Sequence, residues 1–215
     1  MSLNFVTVFR FLAMTESDRL SPPSTDPLAR LSAGLRALGS QKGPPPVERW
    51  NPAYRGEIDM RIAADGTWFY LGTPIGRPAL VKLFASVLRK DPDRHVLVTP
   101  VERVGIAVDD APFAAVEMAV EGEGEGRAIA FRTNVDDLVR VDAEHPLRFE
   151  RDPTDGIKPY VLVRGGLWAR VTRALTFDLV EFGEERTVGS ESLFGVAAAG
   201  TFYPIAPAAE MSGDV

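Results

Sequence analysis

GEIDMRIAADGTWFYLGTPIGRPALVKLFASVLRK, Gly56 to Lys90, reads as a strand, a tight turn, an aromatic strand and an amphipathic helix. Ile58, Met60 and Ile62 alternate with Asp59 and Arg61, the period of two that half-buries a strand. Asp65-Gly66 is expected to supply the positive φ angles of a two-residue hairpin turn. Trp68 and Tyr70 then share one face of the returning strand, and Phe69 and Leu71 the other. Gly72-Thr-Pro is expected to end that strand, because proline cannot donate to a ladder. From Arg77 the apolar positions Leu80, Val81, Phe84, Val87 and Leu88 recur at helical spacing, with Lys82, Ser86 and Arg89 opposite.

A shorter copy of this unit follows at Lys158–Gly183, KPYVLVRGGLWARVTRALTFDLVEFG. Gly66-Thr-Trp68 matches Gly166-Leu-Trp168; Arg77 leads PALVKLF, and Arg173 leads ALTFDLV. A duplication makes the chain two related halves rather than one continuous sheet. The helix of the second copy is an open point, since Leu175, Phe177 and Leu179 also fit a strand.

The chain has 215 residues, 45% of them hydrophobic, enough to bury a core as one domain or two small ones. A net charge of −6 leaves no basic field to draw it to nucleic acid. The absence of cysteine removes thiol nucleophiles, thiolate metal sites and disulfides, and fits a reducing, cytoplasmic setting. MSLNFVTVFRFLAM is only superficially a signal peptide: Arg10 interrupts its apolar run, and neither a basic n-region nor a small-residue cleavage site accompanies it. Met1–Ala13 reads as an extension preceding a natural start at Met14, with an amphipathic membrane foot as the sharper alternative. Nothing approaches the length of a membrane span.

Residues 1–26 are expected to be a flexible lead-in, with Leu28, Leu31, Leu35 and Leu38 then spaced as a short packing helix closed by Gly39. GPPPV is a stiff linker, and Trp50 is expected to anchor in the core. After the central helix come strands at His95–Thr99, Val101–Val108, Phe113–Val120, Ala128–Arg132 and Asp137–Val141. The weakly patterned Asp142–Lys158 marks the division between an N-terminal half, 27–141, and a C-terminal half, 142–205. Leu193–Phe202 is expected to form a last strand, and 206–215 a disordered tail. Frequent short strands with few helices and no βαβ alternation indicate an α+β chain of mostly antiparallel sheets.

EGEGEG resembles a phosphate loop only superficially: its glutamates repel phosphate and no helix follows, so it reads as a hairpin connection. His145, in Glu-His-Pro, reads as a surface turn residue, and His95 opens a strand; neither completes a triad or a metal set. Glu102, Asp109 and Asp110 gather at the sharpest turn, where carboxylates bind a divalent cation, perform acid–base work, or simply cap the turn. The arginines are more suggestive. Arg77, Arg89, Arg164, Arg170 and Arg173 lie on or beside the repeated units of an acidic chain, and guanidinium groups grip phosphates and carboxylates in pairs of hydrogen bonds. Structural salt bridges to Asp59, Glu102 or Asp178 are the competing reading. Trp68 or Trp168 is a candidate wall for a ring.

Several motifs together resemble a known group. Trp50-Asn-Pro, Gly56-x-x-Asp59-Met-x-Ile62-x-x-Asp65-Gly66-x-Trp68, Pro74-Ile-x-Arg77, Leu97-Val-Thr-Pro100-Val-Glu102, Val108-Asp-Asp-Ala-Pro112-Phe113, Phe131-x-Thr133-Asn134, His145-Pro-Leu147 and Pro159-Tyr160-x-x-Val163-Arg164-x-Gly166-Leu167 are similar to those of family twelve-eighty-five of the bacterial domains of unknown function. The resemblance spans about Trp50 to Phe202. It implies a duplicated α+β core, a pleckstrin-homology-like barrel in the C-terminal half, and a cleft between the halves for a nucleotide-type ligand with a signalling role. The expected site is Arg77, Arg164 and Arg173 on the anion, Trp68 lining the cleft and Glu102 beside them. No catalytic residue, metal or cofactor is assigned. The alternatives are a metal-assisted hydrolase built on Glu102, Asp109 and Asp110, and a protein-interaction module without a ligand.

Overall fold

The structure is a computed structural model that describes residues 44–152 and 156–211. The expected N-terminal extension, the start at Met14 and the leucine helix within 27–38 lie outside the described residues.

Alternation builds the first strand as expected. In β1 (Tyr54–Ile62) Met60 and Ile62 are buried while Asp59 and Arg61 face solvent. Its partner β2 (Trp68–Tyr70) is set by the pairs Ile62↔Trp68 and Met60↔Tyr70. The turn between them differs from expectation. Only Gly66 has a positive φ, +85°, and its N–H donates to the Ala63 carbonyl at 2.9 Å. A four-residue turn with a left-handed glycine therefore replaces the two-residue turn. The two-residue turn occurs one hairpin later, where Leu71 and Gly72 both have positive φ, 48° and 72°. Gly72-Thr-Pro thus continues the sheet rather than ending it, because β3 (Thr73–Pro74) pairs with β2 as the edge strand where proline is tolerated.

The helix α1 (Pro78–Ser86) begins at Arg77, with proline in its first turn. It is shorter than the apolar spacing suggested. Val87 caps it, and Leu88 belongs to β4 (Leu88–Asp91), still buried but now paired with Leu97. β5 (Arg94–Val98) and β6 (Arg103–Val108) follow, and β6 runs parallel to β1. The first sheet has the order β3-β2-β1-β6-β5-β4.

Beyond the Asp109–Pro112 turn, β7 (Phe113–Glu121), β8 (Ala128–Thr133), β9 (Leu138–Arg140), β10 (Leu147–Asp152), β11 (Gly156–Arg164) and β12 (Leu167–Val171) form the second sheet. Its order is β10-β11-β12-β7-β8-β9, with β12 parallel to β7. The division between halves therefore falls at Asp109–Pro112 and not within 142–158, because β7–β9 join β12 and not the first sheet. The second copy keeps its helix, α2 (Arg173–Glu181), which rules out a strand there. After α2, β13 (Gly183–Val188), β14 (Glu191–Ala198) and β15 (Thr201–Pro207) make a third sheet, and Ala208–Met211 is a helical turn. The single late strand and the disordered start of the tail are thus replaced by a three-stranded meander and by a buried Ala206 and Ala208.

The protein is therefore α+β, with two related halves of mostly antiparallel strands that each carry one helix. In both copies the matched glycine, Gly66 or Gly166, takes a left-handed φ. The tryptophans that follow do not share a fate. Trp68 is 1% exposed and stacks on Phe84 with ring centroids 6.3 Å apart. Trp168 is half-buried and lies under the Arg148 guanidinium, because Leu167 and Ala169 take the inward positions of β12. In a two-residue period, a shift by one residue exchanges the faces.

Trp68, Phe84, Leu88, Leu97 and Phe113 sit together in one buried cluster, as expected from their faces, and Trp50 packs on it from the rim. Phe84→Ala is expected to cost about 3–5 kcal/mol in chemical denaturation, the usual cost of an emptied aromatic core site. A loss below about 1 kcal/mol would mean that this cluster can collapse around the void.

Candidate functional site

The turn that joins the halves spreads its two carboxylates in opposite directions. Asp109 accepts from Arg61 of β1 at 2.5 Å. Asp110 accepts from the Tyr160 hydroxyl at 2.8 Å and pairs with Arg170 at 3.1 Å, both in the second sheet. Burial and this carboxylate together push the Tyr160 hydroxyl pKa upward. Glu102 is buried in the turn before β6, where its carbonyl and N–H close on Thr99. Adjacency in sequence therefore does not assemble an acidic centre, and among the described residues no group of three His, Asp or Glu could hold a metal ion.

The EGEGEG segment includes a turn of 3-10 helix at Gly124–Gly126. Arg127 beyond it donates to the Phe182 carbonyl at the end of α2 at 2.8 Å and accepts from the Ala199 N–H of the β14–β15 turn at 2.8 Å, so this connection fastens the third sheet to the second. His145 closes its own turn through Asp142, 3.1 Å away.

Each expected site residue has a definite place. Trp68 lies in the core, away from the walls of the two cavities described below; its buried period-two position took it inward. Arg164 is spent on structure: it pairs with Asp137, donates to the Ala85 carbonyl of α1 at 2.9 Å, and lies over the Phe113 ring. Arg77 is exposed at the head of α1, and Glu102 is buried in the β5–β6 connection; neither borders those cavities. Arg173 does. Of the five, it alone borders these two cavities, and it belongs to the walls of both.

The smaller cavity, about 340 Å³, opens on the seam between the halves. Ala64 and Asp65 come from the first half's hairpin turn, and Ala114, Arg170, Val171, Thr172 and Arg173 from the second half. The larger, about 510 Å³, lies between β11, β12 and α2. Arg170, Val171 and Arg173 belong to both walls. Arg173 has no carboxylate partner among the described residues; its guanidinium lies 5.7 Å from the centroid of Phe177. Thr172 precedes α2 without offering a side-chain cap, so the first-turn amides at the seam are left open to an acceptor. Asp65 is the one acidic wall of the smaller cavity. Its carboxylate accepts from the Thr67 N–H at 2.8 Å, which holds its pKa below the usual value.

Arg170 belongs to the arginine set of the repeated units but not to the expected site; only the pairing of β11, β12 and β7 brings it to the cavity wall and, with Tyr160, to Asp110.

These features define a duplicated α+β protein with a cavity at the seam between its halves. The chain belongs to the DUF1285 family, a family of unknown function: its N-terminal domain matches residues 45–111 and its C-terminal domain residues 112–205. The chain is similar to a DUF1285 family protein of Silicibacter pomeroyi DSS-3, with 47% identity and a TM-score of 0.76, over 84% of this chain and 97% of that one. It is also similar to a DUF1285 family protein of Shewanella baltica OS155, with 28% identity and a TM-score of 0.46, over 58% and 91%. No curated protein matches the chain. Among the described residues, no helix is long and apolar enough to cross a membrane.

Two outcomes follow from the assigned contacts. Arg164→Met is expected to lower stability by about 1–2 kcal/mol, less than a fully buried charged hydrogen bond because the pair is partly exposed. The same substitution should leave anion affinity unchanged, which a titration of the folded variant checks.

His95 gives a pH signature. Burial first, and then Lys90 across the strand pair, lower its pKa from 6.5 to about 4. Neutral His95 therefore contributes stability that is complete above pH 6.5 and is lost as pH falls toward about 4. Chemical melts across that window should show wild type losing stability relative to His95→Gln. Parallel pH profiles would refute the assignment.

Proposed function

We propose that this protein binds a small anionic ligand, a nucleotide-type molecule among the candidates, at the seam between its halves. The observation that carries the proposal is Arg173: a cation without a carboxylate partner among the described residues, at the uncapped start of α2, on the wall shared by two adjoining cavities. Phosphate and carboxylate groups suit both the guanidinium and the open amides. Arg170 adds charge, partly offset by Asp110. Asp65 opposes a second anionic group at the seam and favours hydroxyl donors there.

A ligand in this position would touch the Ala64–Asp65 turn of one half and α2 of the other. A bound-state preference for one arrangement of the halves is the physical form a signalling role would take. The likeness of the second half to a pleckstrin-homology barrel belongs to this same reading. The hydrolase alternative has less support, since Asp109 and Asp110 are already engaged by arginine and tyrosine. An interaction module without a ligand leaves the Arg173 cavities without a purpose.

The test is a thermal-shift panel of phosphate, pyrophosphate, nucleoside monophosphates and simple carboxylates on the full chain. A ligand that binds only the folded state stabilises it by about 2.7 kcal/mol at a hundredfold excess over Kd. At least one compound should raise the melting temperature, with the shift lost in Arg173→Ala, reduced by salt and retained in Arg77→Ala. If no anion shifts the melt, or the shift survives Arg173→Ala, the proposal fails.

A further inference from the structure

We infer that the ligand is an amphiphile: one anionic head, carboxylate or phosphate, held at Arg173, and an acyl chain seated in the larger cavity. The inference rests on the anion reading above and specifies what else the molecule must carry. Four observations support the chain. Ile157, Val171, Phe177 and Val180 make the wall of the larger cavity largely hydrocarbon. Apart from Arg173 and Glu181 at the two ends of α2, its polar side chains are already committed, since Lys158 pairs with Asp152 at 2.5 Å and Arg170 with Asp110 at 3.1 Å. The Thr176 hydroxyl donates to the Thr172 carbonyl at 3.0 Å. A purine or sugar in this space would find few uncommitted groups to read it, whereas an apolar chain needs none.

Phe177 is the third observation. It is 61% exposed, one turn beyond Arg173 on the same face of α2, so head and tail contacts stand side by side. A large aromatic at the mouth of an apolar cavity gains burial when a chain covers it. The fourth is Glu181, which puts a carboxylate on the wall at the last turn of α2, away from Arg173. A second anionic group at the tail would meet it, so single-headed acids fit and dicarboxylates do not. The cavity, about 510 Å³, is of ordinary size for a small-molecule site.

Isothermal titration of the full chain with butyrate, hexanoate, octanoate and decanoate, below their micellar concentrations, tests the tail. The matching alkyl phosphates test the head, and inorganic phosphate and adenosine monophosphate serve as tail-free and polar-tailed comparisons. Affinity should tighten by about fourfold for each added methylene until the cavity is filled. Phe177→Ser should flatten that series, and Arg173→Ala should weaken every member of it. Stronger binding of one head series identifies the head. The wild-type series decides the question even if a variant fails to fold. If phosphate or adenosine monophosphate binds through Arg173 while chain length changes nothing, the amphiphile inference falls and the anion reading stands. If chain length matters but neither substitution alters it, the tail lies elsewhere and the inference is overturned. If nothing binds, both are overturned.

Discussion

One guanidinium ties the first half's helix to two elements of the second half. Arg164, at the end of β11, pairs with Asp137 of the β8–β9 turn, donates to the Ala85 carbonyl of α1 and lies 4.8 Å over Phe113 at the start of β7. Its three contacts belong to the first half's helix, a turn of the second half, and the strand at which the second sheet begins. Lys82 of α1 pairs with Asp136 beside it, and Arg132 reaches the same carboxylate. A charge shared this way constrains orientation as well as distance, since the planar fork of arginine must satisfy each acceptor at its own angle.

A second tie sets the seam at the β1–β2 turn. Asn134 accepts from the Ala114 N–H at 3.1 Å and donates to the Gly66 carbonyl at 3.3 Å. A Cβ on Gly66 would stand 2.7 Å from the Asn134 amide nitrogen, and its φ of +85° already disfavours any other residue. Gly66 is therefore required twice, by the turn and by the approach of the other half. The approach brings Ala64 and Asp65 against Ala114 and the start of α2, and so creates the smaller cavity.

The duplicated unit shows how a repeat can diverge without changing its fold. Both copies run strand, left-handed glycine, strand, helix. In the first, α1 is clasped between the halves by Arg164 and Lys82. In the second, α2 packs on β7, β11 and β14 and leaves its first turn open at the seam. Arg77 and Arg173 hold corresponding places in the two copies, yet only Arg173 stands where cavities meet. Most arginines near the seam are already matched by acids, as expected of an acidic protein, and this gives an unmatched one its weight.

The sequence by itself determined the strongly patterned elements and their faces. Period-two alternation placed Met60, Ile62 and Trp68 inside, apolar helical spacing placed Phe84 inside, and the glycine–tryptophan repeat announced two halves. These are local signals, carried by neighbours a few residues apart. Helix ends were less legible: Val87 and Leu88 continue the apolar spacing of α1, but pairing with β5 claims Leu88 for a strand. Only the tertiary structure decided where the halves divide, because pairing of β12 with β7 joins residues more than fifty positions apart and has no local signature. It alone decided which charges were spent. Arg164, Arg170 and Arg173 look alike as residues, and their partners, Asp137, Asp110 and, for Arg173, a pair of cavities in place of a carboxylate, are set by long-range packing.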